Sequence, residues 1–177
     1  MNFDLSAASE KKQSTTTTYQ KPGIYDNVKI ASADLKVTAN GTSFLQFNTV
    51  GSNGEVGKST PLYLTTAAWP VTARRIVDLL VATHNVSDNE AKAMISVETN
   101  QQLLAKTSAL LVNRPFRAKF NGEETAKGSI IAVLDGAESM SVLPENTKLW
   151  FSEKSIKKYQ GTVTTESSTP QVDPLPF

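Results

Sequence analysis

The chain contains no cysteine and only one histidine, His84. Without thiols, the sequence excludes disulfide bonds, thiolate zinc sites and cysteine nucleophiles. A single imidazole also excludes sites that need two histidines. His84 falls on the apolar side of a predicted helix, where a packing or capping role is expected. The carboxylates are scattered and no base accompanies the serines and threonines, so we predict no enzymatic activity, no cofactor and no metal.

Long hydrophobic runs and an excess of one charge are also missing. No segment approaches the roughly 18 apolar residues that cross a bilayer. Residues 1–4 lack the basic and apolar regions of a secretory signal. We therefore expect a protein without membrane contact that works in the cytoplasm, or in the host cytoplasm if it is phage-encoded. The formal net charge is +1, so a basic surface requires an uneven distribution of charged side chains.

Composition divides the 177 residues into one folded domain with two tails. Residues 1–19 contain a run of serine and threonine and are predicted to form a disordered N-terminal arm. Residues 159–177 are rich in threonine, serine and proline and are predicted to form a flexible C-terminal tail. Such segments bury too little apolar surface to offset the entropy that ordering costs. The folded domain is predicted to span residues 20–158.

Strand patterns dominate the first half of this domain. Branched and aromatic residues are enriched in three segments, and the first two are joined by Asn40-Gly41, a dipeptide typical of tight hairpin turns. A glycine-rich connection precedes the third segment. The predicted strands span residues 24–37, 44–50 and 59–65.

The hydrophobic period then lengthens from that of a strand to that of a helix, which predicts a helical insert. Ser87 and Glu90 form a capping box, in which each side chain accepts from the other residue's backbone N–H. The predicted helices span residues 72–84, 87–95 and 100–106. Strand patterns return at residues 116–120, where Asn121-Gly122 is predicted to end the strand, and again at 129–134 and 148–151.

The resulting order is three strands, a helical insert and at least two further strands. This is the element order of an OB-fold, a five-stranded Greek-key barrel. An SH3-like barrel is the competing small β-barrel, but that architecture has no place for a long helical insert. We predict a mainly β protein with a helical insert: an OB-fold-like five-stranded barrel with disordered N- and C-terminal tails.

The segment at residues 51–60 is similar to the phosphate-binding loop of nucleotide-hydrolysing ATPases, but the match fails. Five residues separate Gly51 from Gly57-Lys58-Ser59, where the motif has four. A helix must follow to hold the phosphates, whereas Pro61 and a strand pattern follow here. The segment is predicted to be a flexible hairpin loop, and Lys58 remains a candidate cation for a nucleic-acid phosphate.

Residues 113–120 interleave three bases with two aromatic rings on a predicted strand. Proteins that bind single-stranded nucleic acid need cations for the phosphates and flat rings for the bases, each stacked base contributing about 1–3 kcal/mol. The alternative is that Phe116 and Phe120 lie in the core and the bases only aid solubility. Both interpretations hold together if the rings point inward and Arg117 and Lys119 point outward. On the binding hypothesis, the phosphate contacts are Lys29, Lys36, Lys58, Arg114, Arg117 and Lys119, and the stacking rings are Phe47, Tyr63, Phe116 and Trp150, with Phe44 and Trp69 as further candidates.

The predicted tail carries Asp173-Pro174-Leu175-Pro176-Phe177 at its tip. A Pro-Phe end on a flexible, base-free segment after an OB-like body resembles the bacterial and phage single-stranded-DNA-binding (SSB) family. The helical insert and the start of the 113–120 segment are more similar to a divergent phage member. The resemblance implies that these five residues bind replication or recombination proteins. The family's tip usually holds several consecutive aspartates and this one holds Asp173 alone, so each tip is expected to bind weakly.

Together, these patterns predict a single-stranded DNA-binding protein that coats and protects DNA in replication, recombination or repair and recruits partners through its tail. Binding is expected to depend little on base sequence, because phosphates and ring faces are common to all nucleotides. The alternative is a non-enzymatic phage structural or adaptor protein built on a small β-barrel, which the near-neutral charge favours. The sequence leaves the oligomeric state open, a homo-oligomer included.

Overall fold

The computed structural model describes residues 16–150, so most of the predicted arm and the whole predicted tail lie outside the described residues. The described part is mainly β with a helical insert. Within it, no helix combines the length and apolar character that a bilayer crossing requires. The elements are β1 Gly23–Val37, β2 Ser43–Val50, β3 Val56–Ser59, β4 Leu62–Tyr63, α1 Trp69–His84, α2 Asp88–Ala93, α3 Asn100–Leu111, β5 Pro115–Glu124, β6 Ile130–Glu138 and a short 3-10 helix at Pro144–Asn146.

Five strands form a ring in the order β1, β5, β6, β3 and β2, and the pairing of β1 with β2 closes it. β3 and β6 run parallel, whereas the other neighbours in the ring are antiparallel. β4 pairs with β2 beyond the end of β3. The ring is uneven about its axis, and its helical insert lies between the third and fourth strands of the ring in chain order. The predicted OB-fold-like, barrel-like architecture is confirmed.

β1 pairs with two neighbours because two irregularities bend it. Asn27 takes a positive φ of 57° where the register with β5 shifts. A second shift, between Ile30 and Ser32, lies in the register with β2. Such bulges bend a strand and increase its twist. The first half of β1 therefore pairs with β5 and the second half with β2.

The hairpin between β1 and β2 turns at the predicted Asn40-Gly41 step. The backbone N–H of Gly41 donates to the carbonyl of Thr38 at 2.9 Å, and the N–H of Thr38 donates to the carbonyl of Thr42 at 2.9 Å. Gly41 takes a positive φ of 80°, whereas Asn40 does not have a positive φ. The loop is therefore a three-residue connection that ends in a left-handed glycine, rather than a two-residue turn.

Aromatic and branched side chains fill the interior of the ring. Phe47, Phe116 and Phe120 are fully buried and belong to one continuous core. α1 covers this core with an apolar face that includes Ile76 and Leu80. Burying such a face supplies most of the stability of a helix in a globular protein, so the barrel interior holds the helical insert in place.

The helical insert begins and ends at recognisable signals. α2 starts at the predicted capping box, in which the N–H of Glu90 donates to Oγ of Ser87 and the N–H of Ser87 donates to Oε2 of Glu90. At the end of α1, Nε2 of His84 lies 2.8 Å from the carbonyl oxygen of Leu110 and ties α1 to α3. His84 therefore has the structural role that its position predicts.

The strand predicted over residues 59–65 is two strands in the structure. β3 ends at Ser59, and β4 covers only Leu62–Tyr63. Pro61 lies between them and has no N–H to donate to a neighbouring strand. The pairing with β2 is therefore interrupted, and β3 begins earlier than predicted, inside the glycine-rich segment.

Two predicted features of the second half are wrong. Asn121-Gly122 does not end a strand, because both residues pair with β6 inside β5 and the turn comes at residues 125–129. The strand predicted over residues 148–151 is absent from residues 148–150, which are irregular, and Phe151 lies outside the described residues. Asn121 and Gly122 have a partner strand and residues 148–150 have none in the described part of the chain, and the local sequence does not reveal this difference.

Gly57 in β3 is packed too closely for a side chain, which gives a stability prediction. A Cβ atom there would lie 2.7 Å from Oγ1 of Thr49 and 2.9 Å from Cε1 of Phe120, both of which are buried. We expect Gly57→Ala to destabilise the domain by about 1–3 kcal/mol, as overpacking of a core does. Urea unfolding measures the change, with Lys58→Ala on the exposed side of β3 as the control. Wild-type stability in Gly57→Ala would contradict this packing.

Candidate nucleic-acid interface

The outward side chains of β1 to β4 form one surface, which we call the β1–β4 face. Successive side chains of a strand point to opposite faces. In β1, Ala33 and Leu35 therefore point toward the core, and Asp34 and Lys36 point outward. The strand register then aligns the outward residues of neighbouring strands in rows. The face consists of Lys29, Ser32, Asp34, Lys36, Phe44, Gln46, Asn48, Val50, Val56, Lys58 and Tyr63.

An aromatic pair occupies one end of this face. Phe44 and Tyr63 are opposite each other in the register of β2 and β4, and their ring centroids lie 5.7 Å apart with an interplanar angle of 55°. Tyr63 is 40% exposed, and Phe44 is partly buried. The hydroxyl of Thr72 in α1 donates to the carbonyl oxygen of Tyr63 at 2.8 Å and holds β4 in position. The pair therefore presents ring surface to solvent on a fixed support.

Hydrogen-bonded polar side chains occupy the middle of the face. Nδ2 of Asn48 donates to Oγ of Ser32 at 2.8 Å and to Oδ2 of Asp34 at 2.7 Å. Nζ of Lys36 donates to Oε1 of Gln46 at 2.9 Å and lies 4.0 Å from Oδ2 of Asp34. Asp34 therefore offsets part of the charge of Lys36, although the lysine remains exposed to solvent.

Cations without ion pairs occupy the other end of the face. Lys29 and Lys58 are exposed, and neither forms an ion pair with any residue between positions 16 and 150. Lys29 is opposite Pro115 in the register with β5, so the exposed Arg114 beside that proline adds a third cation close to the face. Cations that are not neutralised by a carboxylate are available to phosphate groups.

Two of the predicted stacking rings do not reach the surface. Phe47 and Phe116 are both 0% exposed, because alternation along β2 and β5 turns them into the ring. Their assignment as stacking residues is therefore corrected, and both are core residues. Phe120 is buried in the same way, so the alternative is confirmed for the two rings of the 113–120 segment.

Arg117 is also corrected, because its side chain is only 4% exposed. Its Nε donates to Oδ1 of Asp26 at 2.6 Å, and its Nη1 donates to Oε1 of Glu138 and to the carbonyl oxygen of Val142, each at 3.0 Å. The hydrogen bond to Asp26 raises the pKa of Arg117 in spite of its burial. The guanidinium is occupied by two carboxylates and is not available to a phosphate.

Glu138 links Arg117 to the segment that follows β6. Besides Arg117, it accepts from the hydroxyl of Thr147 at 2.7 Å and from the backbone N–H of Lys148 at 2.8 Å. Burial alone would raise the pKa of Glu138, but these hydrogen bonds and the charge of Arg117 hold it below its ordinary value. The ionised carboxylate therefore anchors residues 147 and 148 against the sheet.

Lys119 and Trp150 belong to the β5–β6 side of the ring rather than to the β1–β4 face. Nζ of Lys119 lies 2.9 Å from Oδ2 of Asp135 and 5.4 Å from the centroid of the Trp150 ring. Asp135 also accepts from Arg75 at 2.8 Å. Burial opposes ionisation of Asp135, but the hydrogen bond and charge of Lys119 outweigh it and lower the pKa. Lys119 is therefore committed to an ion pair, and Trp150, although 68% exposed, is separate from the other candidate rings.

Tyr19 is an exposed ring that the sequence patterns do not assign to the interface. The N–H of Val56 donates to the carbonyl of Thr18 at 2.9 Å, and the N–H of Gln20 donates to the carbonyl of Val56 at 2.7 Å. The backbone at Tyr19 therefore pairs in parallel with Val56 of β3, and Tyr19 is 72% exposed. The only sequence signal is a single aromatic residue directly after the serine and threonine run.

A small cleft lies between α1 and the β3–β6 pair. Its polar lining includes Ser59, Arg75, Asp78 and Asp135. The ion pair between Arg75 and Asp135, at 2.8 Å, occupies the polar side of this cleft. Between positions 16 and 150, no group of three or more histidine, aspartate or glutamate side chains is arranged to hold a metal ion.

No protein-family model matches the chain, and neither does any curated protein. The assignment of a function therefore depends on the geometry of the β1–β4 face and on the sequence patterns.

Acid should destabilise the domain through Asp135 and Glu138. Their pKa values are lowered in the folded state. Their ionised forms therefore stabilise the fold above the unfolded-chain values of about 4, and this stabilisation is lost as the pH falls through the lower folded values. We expect the Asp135→Asn, Glu138→Gln double variant to be less stable than the wild type at neutral pH and to lose less stability on acidification. Urea unfolding at neutral pH and at about pH 3 measures both effects.

The exposed Glu98, before α3, provides the control for this experiment. Glu98→Gln removes one carboxylate without touching either ion pair and should behave as the wild type does. If the double variant and the wild type lose the same stability on acidification, the two carboxylates do not stabilise the fold in this way.

Proposed function

We propose that the chain is a non-enzymatic single-stranded DNA-binding protein whose DNA lies across the β1–β4 face. One observation carries the proposal: the same face presents a ring pair and two cations that have no ion pair in residues 16–150, Lys29 and Lys58. Of the two rings, Tyr63 is exposed and Phe44 is partly buried. Rings that stack on bases and cations that contact phosphates are the two components of single-strand binding sites.

The place of this face in the fold supports the proposal. OB-fold proteins bind oligonucleotides on their second and third strands, together with the loops between strands 1 and 2 and between strands 4 and 5. The corresponding strands here are β2 and β3, and the corresponding loops are residues 38–42 and 125–129. The second loop carries Lys127, which is exposed.

Ring stacking favours a single strand over a duplex. In a duplex the faces of the bases already stack on one another, whereas an unpaired base is free to stack on Tyr63 or Phe44, at about 1–3 kcal/mol for each base. Residues 16–150 carry 13 basic and 12 acidic side chains. Phosphate contacts are therefore few, and stacking supplies a large share of the affinity.

The proposed role is to coat and protect DNA that is exposed during replication, recombination or repair, in the cytoplasm or in a host cytoplasm. The tail would recruit other proteins to the coated strand. Its tip, Asp173, Pro174, Leu175, Pro176 and Phe177, lies outside the described residues, so this part of the proposal is supported by the resemblance to the SSB family alone. Many copies on one strand would compensate for a weak tip by avidity.

The alternative function is that of a phage structural or adaptor protein, and one observation favours it. Trp69 is 43% exposed and Val71 is 66% exposed at the start of α1, and α1 is joined to β4 by the hydrogen bond from Thr72 to Tyr63. Exposed apolar side chains of this kind suit a protein partner as well as a base. Binding of a labelled mixed-sequence oligonucleotide separates the two functions, because the adaptor has no reason to bind it.

The salt dependence of binding tests the cations of the face. On single strands, the logarithm of the affinity falls with the logarithm of the salt concentration by about 0.7 for each phosphate contact. We expect Lys29→Ala and Lys58→Ala each to reduce this slope by about 0.7, measured by fluorescence anisotropy with a mixed-sequence oligonucleotide. Lys106→Ala, which removes an exposed cation from α3, is the matched control. The same slope in all four proteins would rule out these phosphate contacts.

Tyr63→Ala tests the ring pair by measuring affinity and stability on the same protein. If Tyr63 stacks on a base, its loss should weaken binding by about 1–3 kcal/mol. Because the side chain is 40% exposed, the free energy of unfolding should fall much less than in Phe116→Ala, where a buried ring is worth about 3–5 kcal/mol. Unchanged affinity, or a stability loss as large as that of Phe116→Ala, would remove Tyr63 from the site.

A further inference from the structure

Asp34 lies in the middle of the β1–β4 face, between the ring pair and the cations. In the register of β1 and β2, Asp34 is opposite Gln46. The neighbouring outward residues of β2, two positions to either side of Gln46, are Phe44 and Asn48. The side chain of Asp34 is 42% exposed. A single strand of DNA that reaches from the ring pair to the cations therefore passes over this carboxylate.

The hydrogen bonds around Asp34 fix the atoms that a ligand meets. Oδ2 of Asp34 accepts from Nδ2 of Asn48 at 2.7 Å, so the carboxylate sets the orientation of the asparagine amide. In the part of the chain that the structure describes, neither Oδ1 of Asp34 nor Oδ1 of Asn48 has a hydrogen-bond partner. Two neighbouring oxygens are therefore available as acceptors.

These acceptors suit a base edge better than a phosphate. A phosphate carries negative charge and only acceptor oxygens, so it repels the carboxylate of Asp34. Cytosine and adenine carry an exocyclic amino group that donates, and an aspartate that accepts from N4 of cytosine is an established pairing. Phe44 is a diagonal neighbour of Asp34 across the two strands, at about 7–8 Å, which is within reach of the polar edge of a base stacked on that ring.

We infer that Asp34 makes the face selective for bases with an exocyclic amino group, so that cytosine binds more tightly than thymine. The inference rests on the proposed function, because it concerns the same face. A cytosine stacked on Phe44 donates its amino group to Oδ1 of Asp34. A thymine in the same place turns its O4 acceptor toward the carboxylate and is repelled. Binding would then depend on base composition, contrary to the expectation from ring stacking and phosphate contacts alone.

Fluorescence anisotropy with labelled oligo-dC and oligo-dT of equal length tests this inference on the full chain at one salt concentration. The wild type should bind oligo-dC roughly fivefold or more tightly than oligo-dT, which is the lower end of the discrimination that a base-specific pair supplies. Asp34→Ala should remove the preference, chiefly by tightening the binding of oligo-dT. Asp34→Asn keeps the size of the side chain but replaces one acceptor with a donor, and should reduce or reverse the preference.

Glu98→Ala is the control for net charge, because it removes an exposed carboxylate far along the chain from the face. It should keep the preference for oligo-dC, and thermal unfolding of each variant shows that the domain is intact. Equal affinity for the two oligonucleotides, a preference for oligo-dT, or a preference for oligo-dC that persists in both Asp34 variants would overturn the role of Asp34 and leave the proposed function standing. If the wild type binds neither oligonucleotide, the proposed function fails and the role of Asp34 fails with it.

Discussion

The strand ring exists because β1 closes it, and the positions of the core and of the β1–β4 face follow from that closure. This single strand of 15 residues pairs with β5 and with β2, and the bulges near Asn27 and Ser32 allow it to turn from one to the other. Once the ring is closed, successive side chains of each strand point alternately into the core and out to the surface. Phe47 and Asp34 lie on adjoining strands, yet the first is buried in the core and the second is half exposed. The β1–β4 face is thus a product of closure and not of a local motif.

The two sides of the ring use their charges differently. On the β5–β6 side, Arg117, Lys119, Asp135 and Glu138 are partly or largely buried and are paired with one another or with near neighbours. A buried charge without a partner is strongly destabilising, so these groups serve the fold. On the β1–β4 face the cations are exposed, and Lys29 has no ion pair in the described part of the chain. Charges that cost little to leave unpaired are the ones available to a ligand.

Much of the architecture is predictable from the sequence because it is encoded locally. Local signals depend only on neighbours in the chain: the hydrophobic repeat of each strand and helix, the turn at Gly41 and the capping box at Ser87. Together these signals give the element order of the OB-fold-like ring. The site was harder to predict, because burial depends on partners that are distant in sequence. Arg117 alternates with buried residues and has the pattern of a surface cation, but Asp26 lies 91 positions away in the chain and is its partner. Tyr19 meets β3 through a pairing that no local pattern indicates.

Photo-crosslinking can locate the DNA that we propose lies on the β1–β4 face. A mixed-sequence single strand would be irradiated with the full chain, and the attached peptides would be identified by mass spectrometry. Because ultraviolet light crosslinks a base to a ring that stacks on it, we expect DNA to be attached at Phe44 and Tyr63. This attachment should be lost when the crosslinked strand carries a label and an excess of the same strand without the label competes for the site. Attachment confined to Trp150 and the β5–β6 side, or no attachment at all while the domain is folded, would show that DNA does not lie on the β1–β4 face.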